Sequence, residues 1–154
     1  MELSYEAICF DLYGTLVEAD GRPIAGARNA ILSVPRERCA IVTSCGSQFA
    51  RTLLMTAQLP APPVLVASDD VYHGKPAPDG YSLAARRLQV DPSRILVFED
   101  SGQGIAAARA AGMDVVGILA GRARSYAAQA PYSVERLADV GWSIGADGSI
   151  VVRL

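Results

Sequence analysis

Five short apolar runs, separated by segments of helical length, restrict this chain to very few folds. They lie at 7–11, 40–43, 64–67, 95–99 and 115–118, and each is nearly continuous in apolar residues. A strand with one wet face alternates apolar and polar residues, whereas a continuous run belongs to a strand covered on both faces. Between the runs, helical patterns fall at about 26–33, 47–58, 79–89 and 102–111. Phe49, Leu53 and Ala57 follow one another at the four-residue spacing of a single helix face. Gly112 stands where the last helix must stop, in the position of a left-handed cap. Strands alternating with helices predict an α/β chain, a three-layer Rossmann-like parallel sheet with helices on both faces. Beyond residue 122 the pattern weakens. There 133–140 reads as helical, and 142–144 is expected to pair with 149–153 as a closing hairpin. Residues 1–154 are expected to form a single domain.

In an open parallel sheet, ligands bind beyond the carboxyl ends of the strands, where the strand order reverses. The chemically distinctive residues of this chain gather at those ends. Asp11 closes the first run, Thr43 and Ser44 the second, and Glu99 with Asp100 the fourth. Lys75 follows the third run, in a loop pinned by Gly74, Pro76 and Pro78. A carboxylate that attacks a phosphoryl dianion needs positive charge to offset the repulsion. Lys75 offers one such charge, and a hard cation held by Asp11 and Asp100 offers another. The Thr43 hydroxyl and the backbone N–H groups of residues 12–14 and Ser44 suit the transferring oxygens. Gly14 lets the backbone curl tightly around them.

Four segments carry a family resemblance: DLYGTL at 11–16, VTS at 42–44, GKPAP at 74–78 with Tyr81 following, and VFEDSGQGI at 97–105. Together, over roughly residues 5–120, the chain resembles the haloacid dehalogenase superfamily, near its phosphoglycolate phosphatase and β-phosphoglucomutase branch. The resemblance implies a metal-dependent phosphatase that works through an aspartyl-phosphate. It makes Asp11 the nucleophile and Thr43, Ser44 and Lys75 phosphate ligands, with the backbone of Leu12 and Gly14 beside them. It gives Mg2+ to Asp11, Asp100 and the Tyr13 backbone carbonyl, with Glu99 as a nearby metal or water ligand.

The chain departs from that family in two places. Tyr13 stands where the family carries a second aspartate, the general acid and base of the reaction. A phenol is a poor proton acceptor at neutral pH, and losing general acid–base help typically costs about 10²–10⁴ in rate. Tyr13 is compatible with a decayed proton-transfer position, a dehalogenase-like adaptation, or an aromatic plug over the pocket. The expected phosphatase activity is therefore weak or specialised. The alternatives are an impaired regulatory protein that binds phosphate and metal, and a dehalogenase-like hydrolase. The second departure is at VEADGR, residues 17–22, which runs directly into PIAGARNAIL. The helical cap that this branch inserts after its first motif reads as deleted there. The size of the phosphorylated substrate is left open, and a homo-oligomer is expected to cover the bare rim.

Charge and composition exclude other classes. The net charge is −2, the fourteen basic residues are scattered, and no run of five like charges marks a nucleic-acid surface. The apolar runs are strand-sized and too short to span a membrane. The N-terminus lacks the pattern of a signal peptide, and three unpatterned cysteines suit a reducing compartment, so a cytoplasmic protein is expected. Cys9 and Cys39 read as small strand hydrophobes, Cys45 lies beside the phosphate loop, and His73 reads as a loop residue.

Overall fold

The computed structural model describes residues 1–120 and 129–154. Its main sheet contains β2 (Ala7–Phe10), β3 (Cys39–Val42), β4 (Val64–Val66), β5 (Ile95–Glu99), β6 (Asp114–Ile118) and β7 (Tyr132–Val134). The strands run in the order β4-β3-β2-β5-β6-β7, and every neighbouring pair is parallel. From β2 the chain moves outward through β3 to β4, then returns to β5 and moves outward the other way. The order therefore reverses between β2 and β5, which opens a crevice at their carboxyl ends.

Side chains of the central strands alternate between two cores. Ile8, Phe10, Ile41, Leu96 and Phe98 face one core, together with buried residues of α1 (Ala27–Ser33) and α2 (Ser47–Thr56). Ala7, Cys9, Ala40, Val42 and Val97 face the other, with α3 (Asp79–Leu88) and α4 (Gly102–Ala110). This is the expected three-layer α/β arrangement. The α4 side is built from Ala107 and Ala108, so helix and sheet approach closely. Gly112 adopts φ 83 just past α4, as its position predicts.

A second sheet was only half legible. The expected hairpin forms as β8 (Gly141–Ile144) and β9 (Ile150–Arg153), closed by bonds from Gly145 N to Ser149 O and from Gly148 N to Gly145 O. Unexpectedly, β1 (Glu2–Tyr5) adds to β9 as a third, antiparallel strand. Trp142 of β8 packs on Phe98 and Phe10 of the main sheet, with ring centroids 5.3 and 6.0 Å apart.

Two sequence expectations are corrected. Residues 133–140 are not a helix: β7 extends the main sheet, and a 3-10 turn at Leu137–Asp139 follows it. Val134, Leu137 and Val140 are all buried, and their spacing of three is met by extended flanks around one tight turn. On α2 the buried face is Ala50, Leu53 and Leu54, continued by Ala57, while Phe49 points to solvent at 56% exposure.

Residues 11–26 join β2 to α1 with no helix or strand of their own, only two isolated bridges, Tyr13 to Val17 and Val17 to Pro23. Bonds from Glu18 N to Arg22 O and from Gly21 N to Glu18 O close the turn at VEADGR. Among the described residues, no helix is long and apolar enough to cross a membrane.

Phe98 is fully buried and stacks on Phe10 at 5.5 Å beneath the crevice. Phe98→Ala is expected to lower unfolding free energy by about 3–5 kcal/mol, read as a lower urea midpoint at unchanged slope.

Candidate active site

Asp11 follows β2, the strand at one lip of the crevice, and Glu99 ends β5 at the other, with Asp100 next to it. One carboxylate oxygen from each of these three lies within 4.8 Å of the others. Lys75 enters from the loop before α3, as the residue on the carbonyl side of the cis Lys75–Pro76 peptide bond. Its ammonium donates to Asp11 Oδ1 at 2.7 Å, Glu99 Oε1 at 2.5 Å and the Val42 carbonyl at 3.0 Å. Those three acceptors use all three donors of the group.

The charges are almost fully buried: the Lys75 side chain is 8% exposed and that of Glu99 0%. Burial alone would lower the Lys75 pKa, but Asp11 and Glu99 in contact hold it well above the usual lysine value. Burial, then the charge of Asp11, pushes Glu99 up to about 7 against the opposing pull of Lys75 and Tyr81. Among the described residues, three carboxylates here face one ammonium. The cluster is short of positive charge, and its donors are hard oxygens, so a divalent cation such as Mg2+ fits it.

Backbone and helix geometry fix the carboxylates. At Gly14, where φ is 88, an added Cβ would fall 2.1 Å from Asp100 Oδ2, so glycine is required both by conformation and by the approach of Asp100. At Gly104 an added Cβ would fall 1.9 Å from Glu99 Oε1. Ser101 caps α4 by accepting from Gly104 N at 3.0 Å, which sets the helix N-terminus beside both acidic residues.

The structure thus brings Asp11, Gly14, Lys75, Glu99 and Asp100 together. Thr43, Ser44 and Lys75 line an adjoining cavity of about 220 Å³. Thr43 is buried and its hydroxyl accepts from Cys45 N at 3.1 Å, which shapes the loop after β3. The Leu12 side chain lies in the core, and its carbonyl accepts from Leu16 N and Val17 N, folding the chain back over the strand end. The Tyr13 side chain is 45% exposed on the rim, outside the buried cluster. His73 is an exposed loop residue paired with Asp79 at 3.3 Å. Burial pushes the Cys9 thiol far up and that of Cys39 up to about 12, in keeping with small packing residues.

Two residues of the site were not singled out as functional from sequence. Thr15 is fully buried and donates to Asp11 Oδ2 at 3.2 Å, with Asp100 Oδ1 at 3.5 Å. Its signal was a hydroxyl residue directly after the turn glycine. Tyr81 is fully buried and donates to Glu99 Oε1 at 2.6 Å. Its signal was its place just after the GKPAP segment, to which no role was attached.

Comparison with known proteins agrees with this geometry. The family described as haloacid dehalogenase-like hydrolase matches residues 19–112, more than half of the chain. The chain belongs to that family. It is 40% identical over 103 residues to validoxylamine A 7'-phosphate phosphatase of Streptomyces hygroscopicus subsp. limoneus, covering 66% of this chain and 48% of the relative. It is 56% identical over 54 residues to a fructose-1-phosphate phosphatase of Escherichia coli, covering 35% and 29%. The chain therefore spans less than half the length of these curated relatives. Among solved structures, CbbY of Rhodobacter sphaeroides in complex with xylulose-(1,5)bisphosphate superposes with a TM-score of 0.78 at 21% identity, over 94% of this chain and 98% of that one. At that identity the likeness is one of fold.

Gly14→Ala places a methyl group on Asp100 and forces a left-handed residue. It is expected to lower stability by about 1–3 kcal/mol, measured by chemical unfolding, and to weaken magnesium binding in calorimetry.

Proposed function

We propose that this chain is the catalytic core of a metal-dependent phosphoric monoester hydrolase that acts through an aspartyl-phosphate on Asp11. One observation carries the reading. At the reversal point of the sheet, a lysine is buried against an aspartate and a glutamate, with a second aspartate within cation-sharing distance. The names of the two relatives support phosphate esters as substrates, in one case of a sugar. Residues 1–154 are read as one core without a cap, and the exposed rim as covered by a second copy or a large substrate.

Each residue has a part in that chemistry. Lys75 and Thr15 hold one oxygen each of the Asp11 carboxylate, which fixes its direction of attack. Thr43, Ser44 and the backbone of residues 12–14 receive the phosphoryl oxygens. Asp11, Asp100 and the Tyr13 carbonyl would hold Mg2+, with Glu99 at the edge of the site. The ion, when bound, neutralises phosphoryl charge. Asp11 forms a bond to phosphorus as the bond to the alcohol oxygen breaks, and the leaving oxygen takes a proton from solvent water. A second water then attacks phosphorus as the phosphorus–Asp11 bond breaks, gives up a proton to solvent, and frees phosphate and the Asp11 carboxylate.

Magnesium binding by calorimetry tests the metal assignment: Asp100→Ala is expected to abolish it. Equal binding by wild type and variant removes the assignment.

Tyr13 weights the two half-reactions differently. With p-nitrophenyl phosphate, the leaving group departs without a proton, so the first half proceeds. The second needs water deprotonated, and a phenol does this poorly. The expected trace is a burst of nitrophenolate followed by slow turnover, with phosphate trapped on Asp11. Tyr13→Asp is expected to raise steady turnover by about 10²–10⁴, and Asp11→Asn to remove both phases. The exposure of Tyr13 favours one other reading, a protein that binds phosphate and metal without turning over. No burst in wild type, with Tyr13→Asp also inactive, puts that reading first.

A further inference from the structure

Tyr81 stands third in α3, completely buried, with its hydroxyl on the same Glu99 oxygen that Lys75 contacts. Its ring lies beneath the Lys75 ammonium, 5.2 Å from the centroid. We propose that Tyr81 is a positioning residue that acts through Glu99, sharing the charge of that carboxylate so that Lys75 stays available to Asp11 and to a bound phosphate. The inference rests on the phosphatase reading of the site and concerns how the buried Lys75 ammonium is held.

The geometry leaves Glu99 little freedom. Oε2 accepts from Asp100 N at 3.2 Å, with Ser101 N at 3.5 Å and Ser101 Oγ at 3.3 Å nearby. Behind the carboxylate, Gly104 is so close that it cannot retreat toward α4. The only adjustable partners are the two donors on Oε1, the phenol and the ammonium. The three donors of Lys75 are all engaged, so an arriving phosphate must win one of them from Asp11, Glu99 or the Val42 carbonyl. A phenol hydrogen bond to Oε1 takes up part of the carboxylate charge and weakens the Lys75 contact. Without it, Lys75 becomes the sole side-chain donor to that oxygen. The ammonium is then drawn toward Glu99, away from Asp11 and from the phosphate site. The aromatic face supports the cation while a partner is exchanged.

The variant Tyr81→Phe removes the hydroxyl and keeps the ring, so packing and the ring–cation contact persist. Calorimetry on the full chain, with inorganic phosphate in saturating magnesium and with magnesium alone, separates the alternatives. Phosphate affinity is expected to fall about three- to tenfold in Tyr81→Phe, while magnesium affinity changes less than twofold. A general loss of structure would lower both together, and that result, or an unchanged phosphate affinity, overturns the proposal. Action through Glu99 makes the effects non-additive: Tyr81→Phe added to Glu99→Gln should weaken phosphate less than twofold further. A full further loss in the double variant overturns the route through Glu99. The single variant decides the matter if Glu99→Gln fails to fold. A wild-type chain that binds no phosphate removes the phosphatase reading itself, and the role of Tyr81 with it.

Discussion

The Lys75 ammonium, with almost no access to water, lies between Asp11 at 2.7 Å and Glu99 at 2.5 Å, and its third bond goes to the Val42 carbonyl. These acceptors belong to the ends of β2, β5 and β3, so one cation ties together the three strands that border the crevice. Burying an ion is unfavourable by several kcal/mol, and is offset only where every donor finds an acceptor in good geometry. Here each does. Removing one partner from such a set typically costs about 3–5 kcal/mol, because the charge left behind is still buried. A loop of glycine and prolines delivers Lys75 to this point, and the central strands must end in register around it.

The acidic side of the cluster depends on space as much as on charge. Carboxylates of Asp100 and Glu99 lie against the Cα atoms of Gly14 and Gly104, closer than any side chain would permit. The Ser101 cap then turns the positive end of α4 toward them. Oriented dipoles need no rearrangement when negative charge arrives, which is the property that electrostatic catalysis requires, whereas Lys75 must exchange one of its three acceptors. The same enclosure explains the rise of Glu99, which comes first from burial and then from the charge of Asp11.

The parts of this architecture visible in sequence are those that repeat a simple period or close a strand. Continuous runs such as 95–99 announced strands buried on both faces, and the acidic or hydroxyl residue at each end marked the rim. Asp11, Lys75, Glu99 and Asp100 were accordingly legible from their positions alone. Less visible were elements whose order comes from partners distant in the chain. β1 exists because Leu3 lies opposite Val152 at the far end of the chain, a pairing that no local pattern records. β7 was mistaken for helix because Val134, Leu137 and Val140 carry a spacing that either a helix or a tight turn satisfies. Phe49 was placed on a core face by periodicity, but the sheet is met by Ala50 and Leu53 instead. Thr15 and Tyr81, although each lies in or beside a motif segment, were given no role for a related reason. Their roles depend on where a single hydroxyl ends, and hydropathy carries no information about that.

Tyr13 connects the buried cluster to the open surface. Its backbone follows Asp11 and Leu12 and precedes Gly14, where the Asp100 carboxylate leaves no room for a side chain. Its side chain, 45% exposed, is held by little. The turn at VEADGR then starts from Val17, which is anchored in the core, and closes on itself through the bond from Glu18 N to Arg22 O. On the phosphatase reading proposed above, the two ends of a phosphate ester would therefore meet different physics. The phosphoryl end would enter a region where helix dipole and backbone are fixed before it arrives. Among the described residues, the alcohol end would meet solvent and the exposed Tyr13 phenol, so selectivity for the alcohol would depend on whatever surface closes over the rim.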